Sequence, residues 1–582
     1  MTVFFVHGSL ALDTLVIGGV ENTWSDLGTA PGNVIDFATE PGWIAPIQID
    51  PEVNLIEQIR ARGGTVSIDS PNSPVRRTQG DQVLQDALDN IMNGSVSEVY
   101  DRKIANSTFG EHIDIDLGAP LGMDRIVFYP SSLFPREFLR AFYIQVNDGK
   151  SNLSESGNPE WNAIGRFHER QNTRTRAEMR IPLQFVRYLR LTSQYHGGFE
   201  IDEIELYGRG YVSDGSYLSD PFDLGEQGAL WGRINWSAAA IGDPFRSGIA
   251  VRTRSGRDEQ DWSPWSEPYR PDADGGVQIT SPAPRRFFQF EVRFASEDLE
   301  AAHKVDSLSF EHSPPVAQEL VAEIFPRQAQ IGEGKEFVYA VRASEPSDRG
   351  FDTFEILTSA PIERLDGIQI LDREGDLLLD KQGADAEEHL VSPHPFRVRF
   401  PPVTGDGSVL KLRFVTSVLR YGIVFDGWGL NEGSDELPQP AVPGNAMDLS
   451  GDFPGLNLPD EDKRSNLTVL TDIEGVALLG ALEVAPNPFT PNGDGINDSA
   501  RIRSDVFKLT KATPVEVAVY DLSGRRLAVA FAGEIESGRH YVAWDGTDAE
   551  DRLVPPGLYL LELEVKADTK SEKVLGTVVV VY

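Results

Sequence analysis

Along most of its length the chain alternates apolar and polar residues with a period of two. Ile113-Asp-Ile-Asp-Leu117, Glu291-Val-Arg-Phe294 and Leu561-Glu-Leu-Glu-Val565 show it plainly. Each reads as a strand with one buried and one solvated face. Helical spacing stands out in two early places. Leu55, Ile56 and Ile59 recur before Gly63-Gly64, and Val83, Leu84, Ala87, Leu88 and Ile91 recur before Asn93-Gly94. Short strands broken by Gly, Pro and Asp turns favour packed sandwiches over βαβ units. The expectation is an all-β, multidomain chain of tandem β-sandwiches with few short helices.

The end of the chain is its most specific part. Pro486-Asn-Pro-Phe-Thr-Pro-Asn-Gly-Asp-Gly-Ile-Asn-Asp498 is followed by Val515-Glu-Val-Ala-Val-Tyr-Asp521-Leu-Ser-Gly524, Trp544-Asp-Gly546 and Pro555-Pro-Gly-Leu-Tyr559. These motifs resemble the FlgD-like Ig domain of flagellar hook-capping proteins. Related modules close many exported bacterial surface proteins, including cargo of the type IX secretion pathway. The resemblance implies a secreted or cell-surface location and a sorting or anchoring role for residues 476–582.

A second resemblance covers residues 48–210. Ala87-Leu-Asp89-Asn-Ile-Met-Asn93-Gly94-Ser, His112-Ile-Asp-Ile-Asp-Leu117-Gly118, Phe185-Val-Arg-Tyr188-Leu-Arg-Leu191 and Ile201-Asp-Glu203-Ile-Glu205-Leu-Tyr-Gly208 are similar to the discoidin (coagulation factor 5/8 type C) family of galactose-binding-like jelly rolls. The family's bracketing cysteines are missing here. Residues 211–315 repeat the strand pattern, Arg286–Phe294 followed by Val305–Phe310, and read as a second jelly-roll-like sandwich. Residues 316–431 read as a third. Residues 432–475 turn Pro-, Gly- and acid-rich and read as a linker, a tether before the terminal module. Residues 1–47 remain as an N-terminal segment. Its start, Met1 to Ala11, is a short apolar run without a basic flank and reads either as a signal remnant or as a first strand.

Composition narrows the partners. Net charge is 53 − 90 = −37, which repels phosphate backbones and anionic lipid heads, so no nucleic-acid partner is expected. No apolar run is long enough for a transmembrane helix. With no cysteine, disulfides, thiolate metal sites and cysteine nucleophiles are excluded.

Candidate chemistry follows. Asn492, Asp494, Asn497 and Asp498 concentrate oxygens and turn glycines as a Ca²⁺ loop does, although Ile496 and Arg503 break the EF-hand pattern and a plain turn is the alternative. The discoidin-type resemblance implies a structural Ca²⁺ where Asp86, Asp89 and Asn93 meet Glu203 or Glu205. A glycan needs an aromatic platform with polar neighbours, because sugar C–H faces stack while hydroxyls take fixed hydrogen bonds. The candidates are Phe134, Arg136, Trp161, Arg166, His168, Tyr195 and His196 in the first jelly roll, and Trp262 and Trp265 in the second. Trp231, Trp236 and Trp544 read as core.

There is no G-x-S-x-G, H-E-x-x-H or P-loop, and no enzyme is expected. The reading is an exported bacterial surface protein whose jelly rolls bind a glycan or surface polymer, and whose last domain engages secretion or anchoring machinery. The alternatives are a secreted polysaccharide-degrading enzyme with its cleft in 211–431, and a structural subunit that pairs through a terminal strand such as 577–582.

Overall fold

The computed structural model describes residues 12–19, 23–68, 88–93, 100–101, 108–130, 132, 134–151, 153–161, 165–270, 276–447, 449, 467–472, 476–509, 511–566 and 571–582. It is built of strands, with two 3₁₀ turns at Trp24–Asp26 and Leu55–Gln58 and one short helix at Ala384–Glu387 among the named elements. The chain forms two compact units, essentially residues 13–226 with 231–312, and residues 313–582.

In the first unit a β-sandwich is assembled from two distant pieces of chain. One sheet runs Asp13–Gly18, Ala302–Ser313, Leu230–Ile241, Val277–Gln278. The other runs Phe222–Asp223, Phe287–Ser296, Asp214–Ser219, Gly28–Thr29, with Ser247–Gly256 also on Phe287–Ser296. Asp13–Gly18 pairs antiparallel with the far end of the unit, Leu15 opposite Phe310 and Ile17 opposite Leu308. Period-two burial then sends Tyr217, Phe288, Phe290, Val292, Val305, Leu308 and Phe310 into one core.

Trp24 locks the N-terminal piece in place. It is 2% exposed, its indole meets Tyr217 edge-on at 5.0 Å, and Nε1 donates to the carbonyls of Gly42 (3.0 Å) and Asp306 (3.1 Å). Tyr217 returns a hydrogen bond from its hydroxyl to the Trp24 carbonyl at 2.8 Å. Gly18 sits beside it at φ 92°, and a Cβ there would fall 2.6 Å from the indole, so only glycine fits.

Part of the expected N-terminal segment, residues 1–47, is therefore sandwich from Asp13 onward. Residues 1–11, on which the signal-remnant reading rests, lie outside the described residues. The cause is tertiary: the partner of Asp13–Gly18 is nearly three hundred residues away in sequence.

The jelly roll is an insertion in this sandwich. Its entry and exit pair as Gln48–Ile49 with Gly210–Tyr211, and Val212 N donates to Ile47 O at 3.1 Å. The main sheet runs Gly165–Glu169, Phe142–Asn147, Ala177–Ser193, His112–Tyr129, Glu203–Tyr207, with Thr65–Ile68 on His112–Tyr129. The two long strands slip register at Arg180/Gln184 and Val186/Tyr188, which bends them around a core of Ile, Leu, Val and Phe. Of the two helical patches, Leu55 and Ile56 form the 3₁₀ turn, capped by the Asn54 side chain at Ile56 N (3.2 Å). Val83, Leu84 and Ala87 lie outside the described residues, and Leu88 and Ile91 are buried.

In the second unit, sheets of six and five strands enclose Phe337, Tyr339, Phe351, Phe354, Phe396, Phe414 and Phe425. Residues 432–475 are not a free linker where they are described. Gln439–Pro440 pairs with Gly427–Leu430, and Val442–Pro443 runs parallel to Ala317–Phe325. Gln439 is fully buried and exchanges side-chain hydrogen bonds with Ala317 at 3.0 and 2.8 Å. Thr468–Asp472 lies between Gln328–Gln330 and Ile423–Val424. Proline tolerates edge positions because it need not donate there, so a Pro-rich composition conceals these strands. Residues 450–466 and 473–475 lie outside the described residues.

The Ig-like domain packs Phe489, Trp544 and Tyr559 between a three-stranded and a four-stranded sheet. It is seated on the third sandwich. Phe507 joins Ile331, Ala360 and Leu419 in one cluster, and Arg420 Nε donates to Ser537 O at 2.9 Å. The terminal strand Ser571–Val580 pairs along its length with Gly557–Lys566, with Val578 and Val580 buried. It closes its own sandwich.

Trp24→Ala is predicted to destabilise the first unit by about 3–5 kcal/mol, read as a lower urea midpoint. A fragment of residues 48–431 should lose the cooperative transition of that sandwich altogether.

Candidate functional site

The inserted jelly roll gathers its loops at the end marked by Phe142, Glu169 and Ser193. Antiparallel pairing sets Glu169 opposite Phe142 and Ser193 opposite Phe142 on the other side. Asn172 fixes the loop of residues 130–141 by donating from Nδ2 to Leu139 O (2.9 Å), and its own amide donates to Arg140 O (2.8 Å). Gln194 N donates to Ala141 O at 2.8 Å. Thr108, fully buried, donates to the carbonyls of Tyr195 and Gly197, each at 2.8 Å. The loops are thus tied to one another by backbone hydrogen bonds and by the side chains of Asn172 and Thr108.

Those side chains are aromatic and cationic. His196 stacks on Phe109 with ring centres 4.9 Å apart and 8° between planes. Phe109 is 57% exposed and Phe134 48% exposed. Arg140 lies over Phe138 at 4.5 Å and 6.0 Å from the Tyr195 ring, and donates to Arg136 O at 3.2 Å. His168 sits 5.3 Å from Tyr143, with Nδ1 3.4 Å from Gln194 Oε1. Of the expected residues, Arg136, His168, Tyr195 and His196 come to this end, and Phe134 stands on the same loop as Arg136. Phe109, Arg140, Tyr143 and Gln194 were missed. Tyr143 and His168 were within reach of a register argument, since they are opposite each other on adjacent strands.

Two candidates behave differently. The Trp161 ring lies 4.4 Å from the Arg190 guanidinium, which also makes two 2.6 Å bonds to Asp114. One face of Trp161 is therefore taken. Arg166 pairs with Gln145 in the sheet, and its side chain lies outside the described residues.

Trp262 and Trp265 form a ladder with two arginines. Arg254 is 4.6 Å from both rings and Arg252 is 5.2 Å from Trp265. The serines between them zip to the neighbouring strand: Ser263 N donates to Ser255 O (2.8 Å) and Ser266 N to Thr253 O (2.9 Å). Cation–π stacking and backbone pairing hold these indoles as a clasp, so they are not the open platform expected.

The metal candidates are dispersed. Asp89 is ion-paired with Arg60, and Glu205 accepts from the Tyr129 hydroxyl at 2.9 Å. Asn93 is exposed, and Asp86 lies outside the described residues. In the terminal loop Asp498 accepts from Gly493 N and Gly495 N, both 2.7 Å, and Asp494 accepts from Ile496 N (2.8 Å) and Asn492 Nδ2 (3.1 Å). Asn497 takes φ 56°, completing a self-closed turn. Among the described residues no group of three or more His, Asp or Glu is arranged to hold a metal ion.

One acidic stretch stands apart. Glu200, Asp202 and Glu203 are at most 2% exposed. Asp202 Oδ2 accepts from Ser132 N at 3.0 Å, whereas Oδ1 is buried with no hydrogen-bond partner. Burial raises the Asp202 pKa, with the Ser132 bond opposing.

Comparison with known proteins gives one family match: residues 497–570 match the FlgD Ig-like domain. No curated protein matches the sequence. Solved structures similar to part of the chain include the lectin domain of lectinolysin complexed with Lewis B antigen (16% identity, 27% of this chain, 99% of that one, TM-score 0.19). Another is the family 32 CBM of Clostridium perfringens NanJ in complex with galactose (11%, 28%, 99%, 0.20). A third is the Streptococcus pneumoniae fucose binding module SpX-3 (14%, 27%, 97%, 0.19). Scores this low carry no argument about function.

Because its folded pKa is raised, Asp202 favours the fold below its unfolded pKa, and that contribution is lost as pH rises through the folded value. Asp202→Asn is therefore predicted to raise Tm at neutral pH in chelator by a few degrees, with the gain vanishing once pH falls below the ordinary aspartate value of about 3.9.

Proposed function

We propose that this protein is an exported bacterial surface protein that binds glycans through the loop end of its inserted jelly roll, without catalysis of its own. The observation that carries the reading is the cluster of Phe109, Arg140, His168, Tyr195 and His196 on loops tied by hydrogen bonds. Rings supply a stacking face for sugar C–H groups, while Arg and His supply donors for hydroxyls. The match of residues 497–570 to the FlgD Ig-like domain supports a terminal module for sorting or anchoring at the surface. Affinity per site is weak in such an arrangement and is raised by display of many copies on a surface.

Calcium enters the proposal as a structural ion near Asp202, whose Oδ1 is buried without a hydrogen-bond partner. Adding Ca²⁺ is predicted to raise the Tm of the native chain and to leave Asp202→Asn unchanged. An equal response in both proteins would remove the ion from this place.

A glycan array probed with the full chain tests the central reading. Binding to a defined sugar class, weakened roughly tenfold by Arg140→Ala or by His168→Ala, is the expected result. An array silent with calcium and with chelator would overturn it.

A further inference from the structure

The sandwich that carries the jelly roll holds a cleft of about 710 Å³ of its own. It arises from strand parity. Ile234 points into the core and is fully buried. The same face of Leu230–Ile241 continues as Trp236, Ala238 and Ala240, past the point where the core ends. Trp236 is half-buried, and both alanines are exposed. Across the cleft, the strand pair Ser247–Gly256 and Phe287–Ser296 sets Ala250 opposite Arg293 and Gly248 opposite Ala295. Small residues on both walls leave a flat ledge beside one large indole. Trp236 is thus not the core residue that its sequence neighbourhood suggested, in contrast to Trp231, which is 6% exposed.

The charge of the cleft is reversed relative to the chain. Its 12 described lining residues include Arg270 and Arg293 and no Asp or Glu, in a chain with 90 acidic against 53 basic residues, while burial lowers the His303 pKa and favours its neutral form. Arg270 makes no ion pair among the described residues. Arg293 spends Nε on Glu291 (2.9 Å), a carboxylate shared with Arg252, and its terminal nitrogens make no hydrogen bond among the described residues. His303 is held by Ser247, 2.8 Å from its Nδ1. At the lip, Pro244 lines the cleft and its neighbour Phe245 is 94% exposed.

We propose that this cleft is a second binding site, for a saccharide that carries carboxylates, a uronic-acid oligomer. The proposal takes its ligand class from the glycan-binding reading above, yet it concerns a different domain and different residues. The indole offers a stacking face for a pyranose ring, and the alanine ledge admits the ring without clash. Arg270 and the free end of Arg293 accept a carboxylate through charge-assisted hydrogen bonds.

The test is calorimetric titration of the full chain with oligomers of galacturonate, glucuronate and mannuronate. Neutral galacto- and manno-oligosaccharides serve as controls, at low and at high salt. Expected is binding of at least one uronate oligomer that weakens with salt. It should fall roughly tenfold or more in Trp236→Ala and in Arg270→Gln, with neutral-sugar binding at the jelly roll unchanged. Arg270→Gln is exposed and leaves the core intact, so it decides the matter if Trp236→Ala fails to fold. Uronate binding indifferent to both variants, or neutral-sugar binding alone, overturns this site while leaving the jelly-roll reading intact. Silence toward every sugar overturns both.

Discussion

The pairing of Asp13–Gly18 with the far strand Ala302–Ser313 is the constraint on which the first unit depends. With no cysteine anywhere, no covalent staple is available, and the sandwich must be closed by burial and hydrogen bonds. The N-terminal piece does this by contributing an edge strand, the fully buried Ile17 and the Trp24 clamp. Everything between residues 47 and 212 then becomes an insertion with both ends fixed side by side. Such a module is presented by two strands of chain, not dangled from one. Its loop end is accordingly held in a defined position relative to its own support.

The same economy recurs in the second unit. A stretch that looked like a tether contributes Gln439–Pro440, Val442–Pro443 and Thr468–Asp472 to neighbouring sheets. The Ig-like domain then rests on the third sandwich through Phe507 and the Arg420–Ser537 hydrogen bond. A seat of this kind fixes the Ig-like domain against the third sandwich, where a flexible linker would leave it free to wander.

What was legible in the sequence was local. Long alternating strands such as Ile113–Leu117 and Leu561–Val565, and the ordered motifs of the Ig-like domain, announce themselves because periodicity and turn chemistry are written in consecutive residues. Two-residue edge strands containing proline carry no period to read. The partner of Asp13–Gly18 is a tertiary fact with no local trace. The site residues divide in the same way. His168, Tyr195 and His196 were picked as aromatic or polar loop-side residues and the fold brings them to one end, while Arg140 was passed over because its position is set by lying across Phe138. Trp262 and Trp265 were misread for want of their partners, although Arg252 and Arg254, two apart on a strand, must share a face and were available to stack. Trp236 was misread because the core stops one residue pair short of it, and where a core stops is set by the opposing sheet.

The most direct test of this architecture is native-state hydrogen exchange of the full chain, followed by mass spectrometry. The account predicts that amides of residues 14–18 and 307–311 are as protected as those of the core strand Phe287–Ser296, and that all three are released in a single opening. Fast exchange in 14–18 beside a slow Phe287–Ser296 would contradict it, for the N-terminal strand would then be an ornament on a sandwich that closes without it.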